Sequence, residues 1–241
     1  MRYHALATDY DGTLAHDGHV SASTVAALTR LLMSGRRLIL VTGRMLPELL
    51  AAFPDIGLCD IVVAENGAVL YWPAENREVV LCEPPPDAFV AEMQRLGVAP
   101  FYVGKSIFAT WRPHEGAALE AIQRLGIEYH IIFNKDAVMV LPTLVTKATG
   151  LAEALKELEI VPAQVVGIGD AENDHAFLDS CGVAVAVANA LPAVQARCDL
   201  VMPLSHGRGV EQLIDRLLSD DLKSLGPRRP RNFQQKQTIE K

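Results

Sequence analysis

Five short stretches of this 241-residue chain are almost continuously apolar: His4 to Thr8, Arg37 to Thr42, Ile61 to Ala64, Val165 to Gly169 and Val183 to Val187. Runs this short, rich in Val, Ile and Leu and bounded by turn residues, read as strands buried on both faces, the situation of a parallel sheet. Segments of helical period lie between them. Ser21 or Ser23 caps "TVAALTRLLMSG", which stops at Gly35, and "ATGLAEALKELE" leads into the Val165 strand. Strand and helix alternate, so the expected fold class is α/β with a doubly wound parallel sheet, in which ligands sit at the carboxyl ends of the strands.

The middle of the chain breaks this rhythm. Ala68 to Leu81 has the pattern of a hairpin, and "EPPPDAFVAEMQRLG" opens a segment of different order. There the pattern predicts a helix (Asp87 to Leu96), strands Phe101 to Val103 and Ile107 to Trp111, a helix (His114 to Leu125), then strands Glu128 to Phe133 and Ala137 to Leu141. An αββαββ order suits a small sheet with helices on one face, inserted into the larger unit. The expected organisation is a core of residues 1–82 and 143–218, an insertion at 83–142, and a basic tail at 219–241 expected to be disordered.

Half of the residues are hydrophobic and 21 % are charged, enough to bury a sizeable core. No apolar run approaches the roughly 20 residues of a membrane span. The opening "MRYHALATDYDG" turns acidic too early for a secretory signal, so the expected location is the cytoplasm. Cys59, Cys82, Cys181 and Cys198 form no CxxC pair; the first three lie in or beside apolar segments, where buried reduced thiols are expected, and none of the four is given a function. The net charge of -7 is uneven: residues 223–241 hold six Lys/Arg and one Glu, leaving -12 on the rest. An acidic body argues against nucleic acid as the main partner. The tail leaves room for a weak phosphate-backbone contact or a tether to another module.

The first strand ends in "DYDGT", with Asp9 and Asp11 one residue apart. Asp and Gly are turn residues, so a plain loop is the simplest reading. A calcium loop starting at Asp9 fails by register, because Leu14 and Val20 stand where Gly and Glu are required. In an extended segment residues i and i+2 point the same way, so the two carboxylates share a small space. Their repulsion predicts a hard cation, a division of acid and base labour, or both. Three further strand ends carry polar groups: "VTGR" (Val41 to Arg44), Lys147 in "VTKATG", and "GDAEND" (Gly169 to Asp174). Each alone is ordinary turn or helix-start chemistry. Together they place a hydroxyl, an ammonium and several acidic or amide groups at one sheet edge.

In that order, "DYDGT", "VTGR", Lys147 and "GDAEND" resemble the four motifs of the haloacid dehalogenase superfamily of phosphotransferases. "AENGAVLY", the αββαββ insertion, "VAVANALPAV" and "GRGVEQLI" are similar to the branch with a type IIB cap, which includes sucrose-phosphatase-like and phosphoglycolate-phosphatase-like enzymes. The likeness covers residues 1 to 218. Two departures, Ala148 after the lysine and "VANA" in the late motif, bear on substrate detail.

The resemblance implies a Mg²⁺-dependent hydrolase of a small phosphate ester, a sugar phosphate or organic-acid phosphate, through an aspartyl-phosphate. Asp9 is then the nucleophile and, with the carbonyl of Asp11 and Asp170, a metal ligand, while Asn173 and Asp174 complete the metal's surroundings. Asp11 is the implied acid and base, Thr42 a donor to a phosphoryl oxygen, and Lys147 the neutralising ammonium. Gly43, Arg44 and Asn66 are implied in substrate binding, with a purely structural role open for the last two. In the insertion, Lys105, Arg112, His114 and Lys135 are polar candidates for contact with the leaving group, each also readable as surface. "HDGH" (His16 to His19) lacks partners for a metal site and reads as a loop, and His175 stands at most behind Asp174.

Three other functions compete. A phosphomutase or other phosphotransferase keeps the same intermediate but passes the group to a sugar hydroxyl. A signalling receiver domain also gathers Asp, Thr and Lys around Mg²⁺, but its acceptor follows a middle strand and its length is about half. A regulatory phosphate-binding module of a larger assembly has no need for both Asp9 and Asp11.

Overall fold

The structure, a computed structural model, describes residues 1–225. Its larger sheet has eight strands. The chain runs β1 (Ala5–Thr8), α1 (Ala22–Met33), β2 (Arg37–Val41), α2 (Leu46–Ala52), β3 (Ile61–Ala64), and the hairpin β4 (Val69–Trp72) and β5 (Arg77–Val80). It then leaves for a smaller unit: α3 (Asp87–Arg95), β6 (Tyr102–Val103), β7 (Phe108–Trp111), α4 (Glu115–Leu125), β8 (Tyr129–Asn134) and β9 (Ala137–Pro142). It returns through α5 (Lys147–Glu157), β10 (Val165–Gly169), α6 (His175–Ser180), β11 (Val183–Ala186), α7 (Pro192–Gln195), β12 (Leu200–Val201) and α8 (His206–Asp220).

The strand order is β12-β11-β10-β1-β2-β3-β4-β5, parallel from β12 to β3 and antiparallel at β4 and β5. The sheet is thus the expected doubly wound α/β core, with the hairpin extending it. From β1 the chain steps one way to β2, and from β10 it steps the other way to β11. Right-handed crossovers therefore put α1 and α6 on opposite faces and make the β1–β10 junction the switch point, where strand ends open into a crevice. Strands that are apolar but for Thr8 fill this core: every residue of β1, β3, β4, β10 and β11 is buried. The helices bury one stripe each. In α8, Val210, Leu213, Ile214 and Leu217 turn inward at spacings of three and four. Ser21, rather than Ser23, caps α1, accepting from the Thr24 amide at 3.2 Å.

The smaller unit is an antiparallel sheet of order β6-β7-β9-β8 with its own core. Phe89 and Met93 of α3 and Ala118, Ala121 and Ile122 of α4 pack on Phe108 and Val140, so both helices cover one face and the unit forms an α/β cap. Strand limits differ from the sequence reading by a residue or two, as at β6 and β7, where pairing begins one residue later.

At the far end, α8 continues through Asp220 and Leu222 is buried, so the packed body runs past the expected boundary at 218. Residues 226–241, most of the expected disordered tail, lie outside the described residues. Among the described residues no helix is long and apolar enough to cross a membrane. Cys59 and Cys181 are buried, and burial pushes the Cys59 thiol up.

Candidate active site

Two adjacent strand ends begin the site. Thr8 of β1 pairs with Ile168 of β10, and the Asp9 amide donates to the Ile168 carbonyl at 3.0 Å, so Asp9 and Asp170 emerge side by side. The chain then turns at Gly12 (φ 84°), where a Cβ would lie 2.4 Å from Asp170 Oδ2; only glycine fits. From behind, Asn189 Nδ2 (2.8 Å) and His206 Nδ1 (3.0 Å) both approach the Gly12 carbonyl and fix this loop.

Lys147 arrives from the first turn of α5, whose start is set by Thr146: its hydroxyl accepts from the Thr149 amide, and Thr149 Oγ1 accepts from the Thr146 amide. One turn on, a Cβ at Gly150 would lie 2.5 Å from the Gly67 Cα. That backbone-to-backbone approach lets α5 lie close against the turn after β3.

The Lys147 ammonium is fully buried and donates to Asp9 Oδ1 at 2.5 Å and Asp174 Oδ1 at 2.6 Å. Asp174 also accepts from the amides of Asp170 (2.8 Å) and Ala171 (2.9 Å), which pins the "GDAEND" loop. Asp9, Asp170 and Asp174 present oxygens within 4.8 Å of one another, all buried. Burial drives the Asp9 carboxyl well above the ordinary carboxylate range, Lys147 works against that rise, and Asp174 and Asp170 add to it. Asp170 is raised likewise by burial and by Asp174, against Lys135 and Thr13, whose hydroxyl donates to Asp170 Oδ1 at 3.0 Å. For Lys147, burial opposes the charge, but Asp174 and Asp9 outweigh it and the pKa is raised.

Asp11 takes a different partner from Asp9. Arg44 Nε and Nη2 donate to its two oxygens, each at 2.6 Å, and this fork raises the Arg44 pKa. The crowding read from the i, i+2 spacing is thus relieved by two separate cations, Lys147 for Asp9 and Arg44 for Asp11. Thr42 is buried at the end of β2 and its hydroxyl accepts from the Arg44 amide at 3.1 Å. Asn66 Oδ1 accepts from Asn173 Nδ2 at 3.0 Å, so Asn173 meets Asn66 rather than an aspartate, and its own Oδ1 is buried without a partner. Gly43 is packed so closely on Asn66 that a Cβ would lie 3.2 Å from its amide.

Glu65 escaped the sequence reading. Buried just after β3 with φ 48°, it accepts from the amides of Lys105 (3.0 Å), Ser106 (2.9 Å) and Ile107 (3.2 Å) of the cap. A lone acidic residue between a buried strand and an Asn-Gly turn was the available signal. Of the polar cap candidates, the Lys105 side chain pairs with Glu78, Arg112 with Glu115 at 3.2 Å, and His114 Nε2 lies 3.2 Å from the Ala99 carbonyl. Lys135 alone among them reaches the cluster of Asp9, Asp170 and Asp174, through Asp170. Between cap and core lies a cleft of about 360 Å³ lined by Arg112, His130, Phe133, Lys147, Asn173 and His175. "HDGH" forms a tight hairpin in which the backbones of His16 and His19 exchange 3.0 Å bonds around Asp17 and Gly18.

A profile of the haloacid dehalogenase-like hydrolases matches residues 6–95 and 106–214. A phosphoglycolate phosphatase of Methanothermobacter thermautotrophicus is 33 % identical over 224 residues, covering 89 % of this chain and 98 % of that protein. One of Sulfolobus acidocaldarius is 28 % identical over 235 residues, covering 90 % and 97 %. Among solved structures, a haloacid dehalogenase-like hydrolase of Bacteroides thetaiotaomicron superposes with a TM-score of 0.76 at 17 % identity, over 89 % of this chain and 99 % of that one. A subclass IIB sugar phosphatase of the same superfamily gives 0.73 at 19 %, over 88 % and 98 %. The chain belongs to the haloacid dehalogenase-like hydrolases. It is an enzyme, of the family's phosphatase type.

Proposed function

We propose that the protein hydrolyses a small phosphate monoester by passing its phosphoryl group to Asp9 and then to water, with Mg²⁺ as cofactor. The observation that carries this reading is the buried Lys147 ammonium shared by Asp9 and Asp174 beside Asp170. A phosphate ester repels nucleophiles with its own charge, so catalysis needs neutralised oxygens and an aligned attacking atom more than a strong base. Lys147 holds Asp9 Oδ1, while the other Asp9 oxygen takes no hydrogen bond from the described residues and is the attacking atom. Thr42, on the neighbouring strand end, donates to a phosphoryl oxygen.

Asp11 protonates the leaving oxygen and then draws the proton from water, which requires one of its two bonds to Arg44 to open for each transfer. The donor set fits a hard divalent ion: three buried carboxylates with a single buried ammonium among them, and an orphaned amide oxygen on Asn173. Asp9, Asp170 and the Asp11 carbonyl would hold the ion, with Asn173 and Asp174 around them. Bound there, Mg²⁺ supplies positive charge to the phosphoryl oxygens. The cap, tied down by Glu65, covers the site, excludes water and bounds a space that suits a small leaving group.

Phosphate release from a panel of esters, including 2-phosphoglycolate and sugar phosphates, tests the reading without any acceptor sugar present. Hydrolysis with Mg²⁺, silence in excess chelator and recovery on adding the ion back are expected. Full activity in excess chelator, or no release from any ester, contradicts the proposal.

A further inference from the structure

Two large aromatic side chains of the cap, Tyr102 of β6 and Trp111 of β7, are left uncovered: they are 50 % and 39 % exposed, and their rings meet edge to face with centroids 5.7 Å apart. Strand register fixes the direction in which they point. Tyr102 stands opposite Ala109, Ala109 opposite Met139, and Trp111 opposite Ala137, so all five share one face of the cap sheet. The helices α3 and α4 pack on the other face, against Phe108 and Val140. Met139 accepts from Asn66 Nδ2 at 2.9 Å, so the aromatic pair lies on the face turned to the larger unit. Ala109 packs against the core of that unit, whereas the two rings overhang open space.

Contacts at the edges of the cap sheet locate this overhang. Along β7 and β9, one end sits over β3, where Glu65 accepts from the Ile107 amide at 3.2 Å, and the other over β10, where Lys135 donates to Asp170 at 2.9 Å. Trp111, opposite Ala137, falls between them, over the ends of β1 and β2. Across the cap sheet, β8 covers the side of α5, with His130 Nε2 3.0 Å from the Val145 carbonyl, and α5 packs beside α6. The order β6-β7-β9-β8 then carries Trp111 and Tyr102 to the opposite side, that of α1 and α2, where Arg44 at the entry to α2 forks onto Asp11. A group that leaves with a proton from Asp11 departs beneath these rings. On this face β6, β7 and β9 present rings, methyl groups and a thioether, with no charged side chain. Such a surface gains most by covering a flat apolar ring.

We propose that Tyr102 and Trp111 form a stacking subsite for the leaving group, which makes phosphate esters of alcohols that carry an aromatic ring the preferred substrate class. The inference rests on the hydrolase reading above and extends it to the chemistry of the leaving group. Benzyl, cyclohexylmethyl and ethyl phosphate test it, since all three release a primary alkoxide and differ in the ring: flat, puckered or absent.

Wild-type kcat/KM is expected to be highest for the benzyl ester. In Trp111→Ala the ratio of kcat/KM for benzyl over ethyl phosphate is expected to fall about five- to a hundredfold, the worth of one ring stacked on an aromatic side chain. Trp111→Phe is expected to keep part of the ratio. An unchanged ratio, equal losses on both esters, or a cyclohexylmethyl ester cleaved as well as the benzyl one overturns the inference while leaving the hydrolase reading intact. Wild-type protein that releases phosphate from none of these esters, nor from the panel above, overturns both. Fluorescence gives a second readout, because the chain has two tryptophans and the other, Trp72, is 8 % exposed in the hairpin of the larger sheet. Benzylphosphonate, which has no ester bond to break, is expected to change the emission of wild-type protein and not that of Trp111→Phe. Inhibition of the wild type by benzylphosphonate with no change in emission contradicts the subsite.

Discussion

Asp9→Asn is expected to lower kcat on every phosphate ester by at least about 10⁴-fold, the scale seen when a member of a nucleophilic constellation is removed. The amide keeps the shape of the carboxylate but cannot attack phosphorus. The fold is expected to survive, because Lys147 keeps Asp174 at 2.6 Å. The sign of the stability change follows from the raised Asp9 pKa. A carboxyl raised on folding favours the native state below its unfolded value near 3.8, and that contribution is lost as pH rises through the folded value. Without metal, the wild type therefore loses this contribution as pH rises through the folded value, and the variant, whose amide does not ionise, does not. Thermal melting of metal-free protein should show Asp9→Asn at least as stable as the wild type. Turnover within tenfold of wild type would remove Asp9 from the reaction.

Lys147→Met is expected to damage both function and fold. It leaves Asp9 and Asp174 buried without their cation, and breaking a buried pair costs about 3–5 kcal/mol. Compared at pH 5 and pH 8, the loss should be larger at the higher pH, since Asp9, whose carboxyl burial already pushes up, loses native-state preference as it ionises and has no ammonium to oppose that. Urea unfolding at the two pH values, without metal, measures this directly. Stability within about 1 kcal/mol of wild type at both, below the range for a broken buried pair, would show that the ammonium does not balance the cluster.

The contrast between these two residues explains how much could be read in advance. Strands such as "IVVA" and "VVGIG" announce themselves because a parallel sheet buries both faces, so their apolar runs need no context. Asp9 and Asp11 stand out because two carboxylates at i and i+2 demand compensation, though the spacing alone does not say that Lys147 serves one and Arg44 the other.

Glu65 was illegible for a physical reason: its partners are three backbone amides some forty residues away, and an amide leaves no mark in a sequence. Lys135 was visible only as one of four polar cap residues. What distinguishes it is the seating of the cap, set by tertiary contacts such as those of Glu65 and by Gly12, whose missing side chain leaves the room that Asp170 and Lys135 share. The small approach of Gly150 to Gly67 is of the same kind, since only the folded chain shows which two glycines meet.

Rapid acid quenching during turnover, followed by peptide mass analysis, tests the central claim most directly, because an acyl phosphate survives brief acid treatment. A phosphoryl group on the peptide carrying Asp9, formed before product and absent from Asp9→Asn, is the expected result. A phosphoryl group on any other residue, or protein that stays unmodified throughout the burst of product, would contradict it.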